Sequence, residues 1–210
     1  MADAGRSDDV CCLLPRESCV YTACYCEENV WKLCQSLKEQ GSELLSSSYA
    51  VFISNPARKI PLFQQRAGKD RNGLVVWDYH VVFVCHPPGQ HAVVYDLDTR
   101  LPFPCGFARY ARDSFGMQVA DPMFRRIFRV VPAASYLAEF ASDRSHMRSK
   151  TSSGSGWMSP PPSYAPIRTD CEVNNIQQFI SMEPAEKIAS STVHGLAEFV
   201  ARFSGLAAVT

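Results

Sequence analysis

Cys26 stands where a cysteine suits nucleophilic chemistry. It begins a segment, residues 26–39, in which apolar side chains recur at helical spacing. Backbone N–H groups and the positive dipole end at a helix start stabilise a thiolate and an oxyanion. Glu27 and Glu28 follow directly, and their charges oppose ionisation of the thiol. The sequence therefore predicts an attacking thiol that depends on an imidazolium partner.

His80 and Asp96 are the residues predicted to complete such a site. His80 lies in a predicted strand at 74–84, and Asp96 ends a predicted strand at 91–96. A hairpin closed through 86–90 places the two residues directly opposite each other, with Cβ atoms about 5 Å apart. An imidazole oriented by a carboxylate is the base that a thiol nucleophile needs. A buried pair that only stabilises the hairpin is the structural alternative.

Two further polar residues, His146 and Asp78, are candidates for the site. His146, in the segment 142–146, is a second candidate for the base, although this segment also reads as a helix-terminating turn. Asp78 is predicted to share a strand face with His80 and to bind a substrate ammonium, unless it forms only a surface ion pair. Cys24 and Cys26 are separated by one residue, whereas zinc knuckles usually have two to four between their cysteines, which disfavours a metal site.

Composition excludes several classes of function. Lys+Arg and Asp+Glu both number 21, so no net charge attracts nucleic acid or an anionic membrane. No apolar run approaches the ~18 residues of a membrane span, and residues 1–15 do not resemble a signal peptide. The nine cysteines are an odd number, which indicates reduced thiols in the cytoplasm or nucleus. No heptad pattern predicts assembly, so we expect a monomer.

The elements around these residues predict one α+β domain. Residues 1–18 read as a mobile leader, and 19–205 as a single catalytic domain with a Ser/Gly/Pro-rich loop at 144–165. Helices are also expected at 133–141, 174–180 and 193–203. Strands are also expected at 49–54 and 125–131, with a short edge strand at 60–64.

Six segments, taken in order, resemble the protein N-terminal glutamine amidohydrolase family. They are CYCEENVWKLC (24–34), YAVFIS (49–54), WDYHVV (77–82), YDLDT (95–99), LPFP (101–104) and ASDRSHM (141–147). The resemblance runs from about Cys19 to Phe203, and the combination is far more specific than any one segment.

The resemblance implies deamidation of an N-terminal glutamine on a protein or peptide, giving glutamate and ammonia and feeding the arginylation branch of the N-degron pathway. It carries over Cys26 as nucleophile, His80 as general acid and base, and Asp96 as the residue that orients His80. It implies a transglutaminase/papain-like core, with the nucleophile helix packed on an antiparallel sheet, and no metal or organic cofactor. The substrate's free α-ammonium must also be recognised, and Asp78 and Asp143 are predicted to bind it.

Two other functions stay open from the sequence. A transglutaminase-like acyl transferase or a thiol peptidase would use the same three residues with a different pocket and acceptor. A non-enzymatic adaptor would present the Pro-rich stretch 160–166 to an aromatic groove. Prolines in a Ser-rich loop more often act as a spacer.

Overall fold

The computed structural model describes residues 14–116, 120–149, 156–185 and 188–204. The fold is α+β, as predicted. The strands are β1 (Ser48–Ser54), β2 (Ile60–Leu62), β3 (Val75–Trp77), β4 (His80–Cys85), β5 (Val93–Tyr95), β6 (Cys105–Gly106), β7 (Ile127–Pro132) and β8 (Thr192–Gly195). The helices are α1 (Cys26–Glu39), α2 (Phe107–Tyr110), α3 (Ala133–Glu139), α4 (Ile176–Ile180) and α5 (Leu196–Ser204).

A six-stranded sheet in the order β6-β5-β4-β1-β7-β8 forms the centre, and each neighbouring pair in it is antiparallel. Its two faces are both covered by apolar layers. Phe52 of β1 packs into the layer that contains α1, α3 and α4. Val51 and Ile53 point to the other layer, where Phe199 of α5 stacks on Phe128 with ring centroids 4.2 Å apart. Because both faces are buried, β1 is a continuous apolar run.

Helix α1 has the predicted bounds. Its buried stripe contains Val30, Leu33, Cys34 and Leu37, which recur at i, i+3, i+4 and i+7 and pack on the central sheet. The chain leaves the helix through Gly41, whose φ of +64° is the left-handed conformation that glycine adopts freely. This packing fixes the position of the first residue of the helix relative to β4.

The predicted long strand at 74–84 is wrong in one respect, because two strands occupy it. β3 pairs with β2 in a separate two-stranded sheet, whereas β4 belongs to the central sheet. The break falls at Asp78, whose carboxylate accepts the Tyr79 backbone N–H at 2.9 Å. A side chain that bonds the neighbouring backbone in this way competes with a strand ladder. Asp78 is consequently exposed and does not share a strand face with His80.

The register of the β4–β5 hairpin also differs from the prediction. Phe83 pairs with Tyr95, where the predicted register would pair it with Val93. His80 is therefore not directly opposite Asp96. The difference is two residues, so every side chain keeps the face that was predicted for it.

The helix predicted at 193–203 begins later, at Leu196, because residues 192–195 form β8 along the edge of the sheet. Residues 1–13 of the predicted leader and 150–155 of the predicted loop lie outside the described residues. Arg16, within the rest of the leader, donates to the carbonyl of Leu97 at 2.7 Å and lies over the ring of Phe103. Within the described ranges, no helix combines the length and apolar character needed to cross a bilayer.

Candidate active site

Cys26 is the first residue of α1 and is half-buried. Burial raises the pKa of its thiol well above the ordinary value, and the Glu27 carboxylate raises it further. A hydrogen bond from the Val81 backbone lowers the pKa of the thiol, but by less than these two effects raise it. The Sγ atom lies 3.7 Å from Glu27 Oε2, so the resting thiol donates weakly to this carboxylate. The surroundings thus favour the neutral thiol, and a thiolate needs a cation or proton acceptor nearby.

Asp96 holds His80 in a buried and fully bonded arrangement. His80 Nε2 and Asp96 Oδ1 are 3.0 Å apart, and both residues are 1% exposed. The Asp98 backbone N–H also donates to Oδ1, at 2.9 Å. The other oxygen, Oδ2, accepts from the Tyr110 hydroxyl at 2.7 Å and from the Gln65 amide at 3.2 Å. Four donors therefore fix this carboxylate in one orientation.

The two buried groups favour each other's charged form. Burial lowers the pKa of His80, but the charge of Asp96 and its hydrogen bond raise that pKa by more, so it lies above its ordinary value. Burial raises the pKa of Asp96, but His80 and the Tyr110 hydrogen bond lower it below its ordinary value. Trp77 stacks on the imidazole at 5.3 Å between ring centroids. Because Nε2 is engaged by Asp96, Nδ1 is the ring nitrogen that remains for proton transfer.

Cys26 and His80 line the same pocket, which has a volume of about 250 Å³. Its acidic residues are Asp78 and Asp98, and the remaining lining residues are Cys24, Arg58, Trp77, Tyr79, His146, Met147, Met158, Gln177 and Ile180. The structure therefore brings the predicted nucleophile and the predicted base to one cavity, with Asp96 behind the base.

The two predicted ammonium-binding residues are placed differently. Asp78 lines the pocket and is exposed. Asp143 lies outside the lining, and its Oδ1 accepts the Ser145 backbone N–H at 2.9 Å, as a local turn residue does. His146, the second candidate for the base, also lines the pocket.

A second polar cluster beside Cys26 was not predicted. Glu27 is fully buried, and its Oε2 accepts from the Tyr79 hydroxyl at 3.0 Å. His146 Nε2 lies 3.3 Å from that hydroxyl and 3.6 Å from Glu27 Oε1. The sequence does hold a signal for this burial, because Glu27 precedes Val30 by three residues and therefore falls on the apolar face of α1.

Glu28 has a different environment from Glu27. The Arg144 guanidinium binds it through two hydrogen bonds, at 2.7 and 2.8 Å, and both side chains are buried. Arg144 also donates to the Tyr164 carbonyl at 3.0 Å, which ties the 144–165 loop to the start of α1. Of the two carboxylates predicted to oppose ionisation of the Cys26 thiol, Glu27 is therefore the one that does so, since Arg144 compensates the charge of Glu28.

His80, Asp96 and Asp98 offer ligand atoms within 4.8 Å of one another, the spacing of a metal site. The oxygens of Asp96 are already occupied by four hydrogen-bond donors. Asp98 Oδ1 likewise accepts the Tyr21 hydroxyl at 2.6 Å. The donors around these oxygens suit an imidazole–carboxylate pair better than a cation, which would have to displace them.

Comparison with known proteins places the chain in a family. A family model described as N-terminal glutamine amidase matches residues 21–203. A Bos taurus relative named protein N-terminal glutamine amidohydrolase is 50% identical over 191 residues, covering 90% of this chain and 89% of the relative. Relatives of the same name from Homo sapiens (50% over 190 residues, 90% of each chain) and Drosophila melanogaster (46% over 193 residues, 91% and 92%) also match. With most of its length matched in this way, the chain belongs to the N-terminal glutamine amidase family.

Proposed function

We propose that this protein hydrolyses the side-chain amide of an N-terminal glutamine on proteins or peptides, giving N-terminal glutamate and ammonia. The observation that carries the proposal is the shared pocket of Cys26 and His80, with Asp96 bound to the distal nitrogen of the imidazole. The names of the family and of the relatives support the substrate. A pocket of about 250 Å³ is smaller than the roughly 300–1,000 Å³ of typical pockets for drug-sized ligands, and it suits a single residue.

In the acylation step, Cys26 transfers its proton to His80 Nδ1 and the thiolate attacks the carboxamide carbon. Backbone N–H groups at the start of α1 stabilise the developing oxyanion, an effect worth about 3–4 kcal/mol for a donor of this kind. The His80 imidazolium then protonates the departing ammonia, and a thioester remains. Asp96 stays ionised throughout, because its role is to orient the ring and stabilise the imidazolium.

In the deacylation step, the neutral His80 removes a proton from water, which attacks the thioester carbon. Collapse of the intermediate releases the glutamate side chain and returns the proton to the Cys26 sulfur. The helix that carries the nucleophile packs on the antiparallel sheet that carries His80. This arrangement supports our assignment of a transglutaminase/papain-like core.

We assign Asp78 to the substrate α-ammonium, because it is an exposed carboxylate on the pocket wall. Asp98 is the other acidic lining residue, and the Tyr21 hydroxyl already engages it. Asp143, also predicted from the sequence, would have to leave its turn to reach the substrate.

The adaptor alternative receives less support from the loop. Pro162 is buried, and its carbonyl accepts from the Arg144 guanidinium at 3.3 Å. Ser159, just before the prolines, donates to the Ala23 carbonyl at 3.2 Å. A segment bound to its own domain in this way is not free to fill a partner's aromatic groove.

We further propose that the enzyme acts as a monomer in the cytoplasm and nucleus, where its product enters the arginylation branch of the N-degron pathway. The cysteines of the described residues are free thiols, which suits a reducing compartment.

The test compares matched peptides that begin with glutamine, asparagine or acetyl-glutamine. Ammonia release and the mass change from amide to acid are measured with wild-type protein and Cys26→Ala. We expect conversion of the free N-terminal glutamine alone, and its loss in Cys26→Ala. Conversion of the acetyl-glutamine peptide would show that no free α-ammonium is required and would favour the transglutaminase-like alternative. No turnover of any peptide would overturn the proposed activity.

A further inference from the structure

The cluster of Glu27, Tyr79 and His146 has no part in the mechanism above, although it adjoins the nucleophile. Glu27 Oε2 is shared by the Cys26 thiol at 3.7 Å and the Tyr79 hydroxyl at 3.0 Å. His146 Nε2 lies 3.6 Å from the other oxygen, Oε1. Glu27 therefore connects the pocket histidine His146 with the sulfur of Cys26.

Two atoms of this cluster are left unsatisfied. Glu27 Oε1 and His146 Nδ1 are buried, and neither has a hydrogen-bond partner among the described residues. A buried carboxylate oxygen without a donor is costly unless a positive charge lies close to it. The His146 ring is placed to supply that charge when it is protonated, since a movement of less than 1 Å turns the 3.6 Å separation into a charged hydrogen bond.

Charged and titratable groups surround His146 from several elements, and the pocket that it lines also contains Cys24, Arg58, His80 and Asp98. Glu27 faces it from α1, and Tyr79 from the segment before β4. Asp143 interacts with it from the same turn, and Asp78 and Cys26 line the pocket with it. The guanidinium of the neighbouring Arg144 is bound to Glu28 instead. No cation of the described residues other than His146 lies within 4.0 Å of the Glu27 carboxylate.

We propose that His146 is a positioning residue that pairs with Glu27 as an imidazolium and thereby permits Cys26 to ionise. Without this pairing, the buried Glu27 carboxylate and the half-buried Cys26 thiolate are two negative charges in adjacent positions. With it, the carboxylate presents little net charge to the sulfur. His80 remains the group that exchanges protons with the substrate, and His146 acts only through Glu27. This role of His146 rests on the proposed function, in which Cys26 is the nucleophile, but its test measures alkylation and does not require turnover.

The test follows alkylation of Cys26 by iodoacetamide as a function of pH, with the modified site located by peptide fragmentation. The thiolate is the reactive form, so the pH profile reports its ionisation. Charges about 4 Å apart at a partly buried site change such an equilibrium by about tenfold or more. At neutral pH we therefore expect His146→Gln to slow alkylation about tenfold and Glu27→Gln to accelerate it about tenfold.

The double variant decides the mechanism. If His146 acts through Glu27, then Glu27→Gln/His146→Gln should match Glu27→Gln, because no carboxylate remains to be compensated. Matched controls are Glu39→Gln on the exposed end of α1 and His91→Gln on the exposed hairpin loop, and both should retain the wild-type profile. Thermal unfolding of each variant identifies any loss of fold.

Two results would overturn the inference. One is a His146→Gln profile that superposes on the wild type. The other is a slowing by His146→Gln that is equally large with and without Glu27, since His146 would then act on the thiol directly or through the fold. Absence of turnover on every glutamine peptide, together with the expected alkylation profiles, would overturn the proposed function and leave this inference standing.

Discussion

Replacing Asp96 with asparagine tests the arrangement around His80 most directly. Asparagine keeps the shape of the side chain, and its carbonyl oxygen can still accept from His80 and from the Asp98 backbone. Its amide nitrogen then replaces Oδ2, where Tyr110 and Gln65 donate. The Tyr110 hydroxyl can rotate to accept and the Gln65 amide can flip, so the substitution removes the charge with little change of shape.

The size of the effect follows from the 3.0 Å separation of His80 Nε2 and Asp96 Oδ1. Two unit charges about 3 Å apart attract by about 1.4 kcal/mol at a dielectric constant of about 80 and by about 5.5 kcal/mol at about 20. Since about 1.4 kcal/mol corresponds to a factor of ten, loss of this charge should lower kcat/KM between about tenfold and about ten-thousandfold. This range includes the loss of about 10⁴ in kcat known for the same change in a Ser-His-Asp triad.

The pH dependence of stability gives a second, independent readout. The pKa of His80 is raised above its ordinary value of 6.5, so the stability it contributes is fully present below 6.5 and is lost as pH rises through the raised pKa. The pKa of Asp96 is lowered below 3.8, so its contribution is present above 3.8 and is lost as pH falls through the lowered value. The wild type should therefore be more stable than Asp96→Asn, and the difference should be largest between pH 3.8 and pH 6.5. At alkaline pH the difference should be smaller.

The assays are kcat/KM on a glutamine-initiated peptide and thermal unfolding across this pH range. Asp170→Asn, a change of the same kind at an exposed site, is the control and should match wild type in both. Wild-type kcat/KM in Asp96→Asn would refute the role of the carboxylate in catalysis. A stability difference that does not vary with pH would refute the buried ion pair.

Three further predictions concern the neighbours of this site. Tyr110→Phe removes the 2.7 Å hydrogen bond to a buried carboxylate and should lower the free energy of unfolding by about 1–3 kcal/mol in urea denaturation. Arg144→Met leaves Glu28 buried without its partner and should lower the free energy of unfolding by about 3–5 kcal/mol. Adding Glu28→Gln to the same chain should recover part of this stability. Asp78→Asn should raise KM for the glutamine peptide, whereas Asp143→Asn should not; unchanged kinetics in both variants would contradict the assignment of Asp78.

Local patterns predicted much of the fold. Helix α1 was predicted to the residue, because its apolar stripe and Gly41 mark both its face and its end. β1 was predicted within one residue, since its apolar run ends at Asn55. Both signals depend on residues close in sequence. The division of 74–84 into β3 and β4 was missed because it depends on β2, a distant partner that pairs with β3 in a second sheet.

The partners of the candidate site were less predictable than its central residues. Gln65 and Tyr110 reach Asp96 from 31 and 14 residues away, and no periodicity connects them with it. Arg144 reaches Glu28 across 116 residues. Such contacts arise from the packing of whole elements. Glu27 differs, because its place on the apolar face of α1 could have been read from the helical period, whereas its partner His146 could not.

The contact between His80 and Asp96 shows why a wrong register still predicted a correct neighbour. The observed pairing of Phe83 with Tyr95 differs from the prediction by two residues, which is the full side-chain period of a strand. An odd error would have moved Asp96 to the opposite face of the sheet, whereas an even one makes it a diagonal neighbour of His80. Diagonal neighbours lie about 7–8 Å apart at Cα, within reach of an imidazole and a carboxylate that extend toward each other. The alternation of side chains along each strand therefore predicted the sheet face of His80 and Asp96 more reliably than the exact register. Being on the same face was sufficient to bring the two residues together.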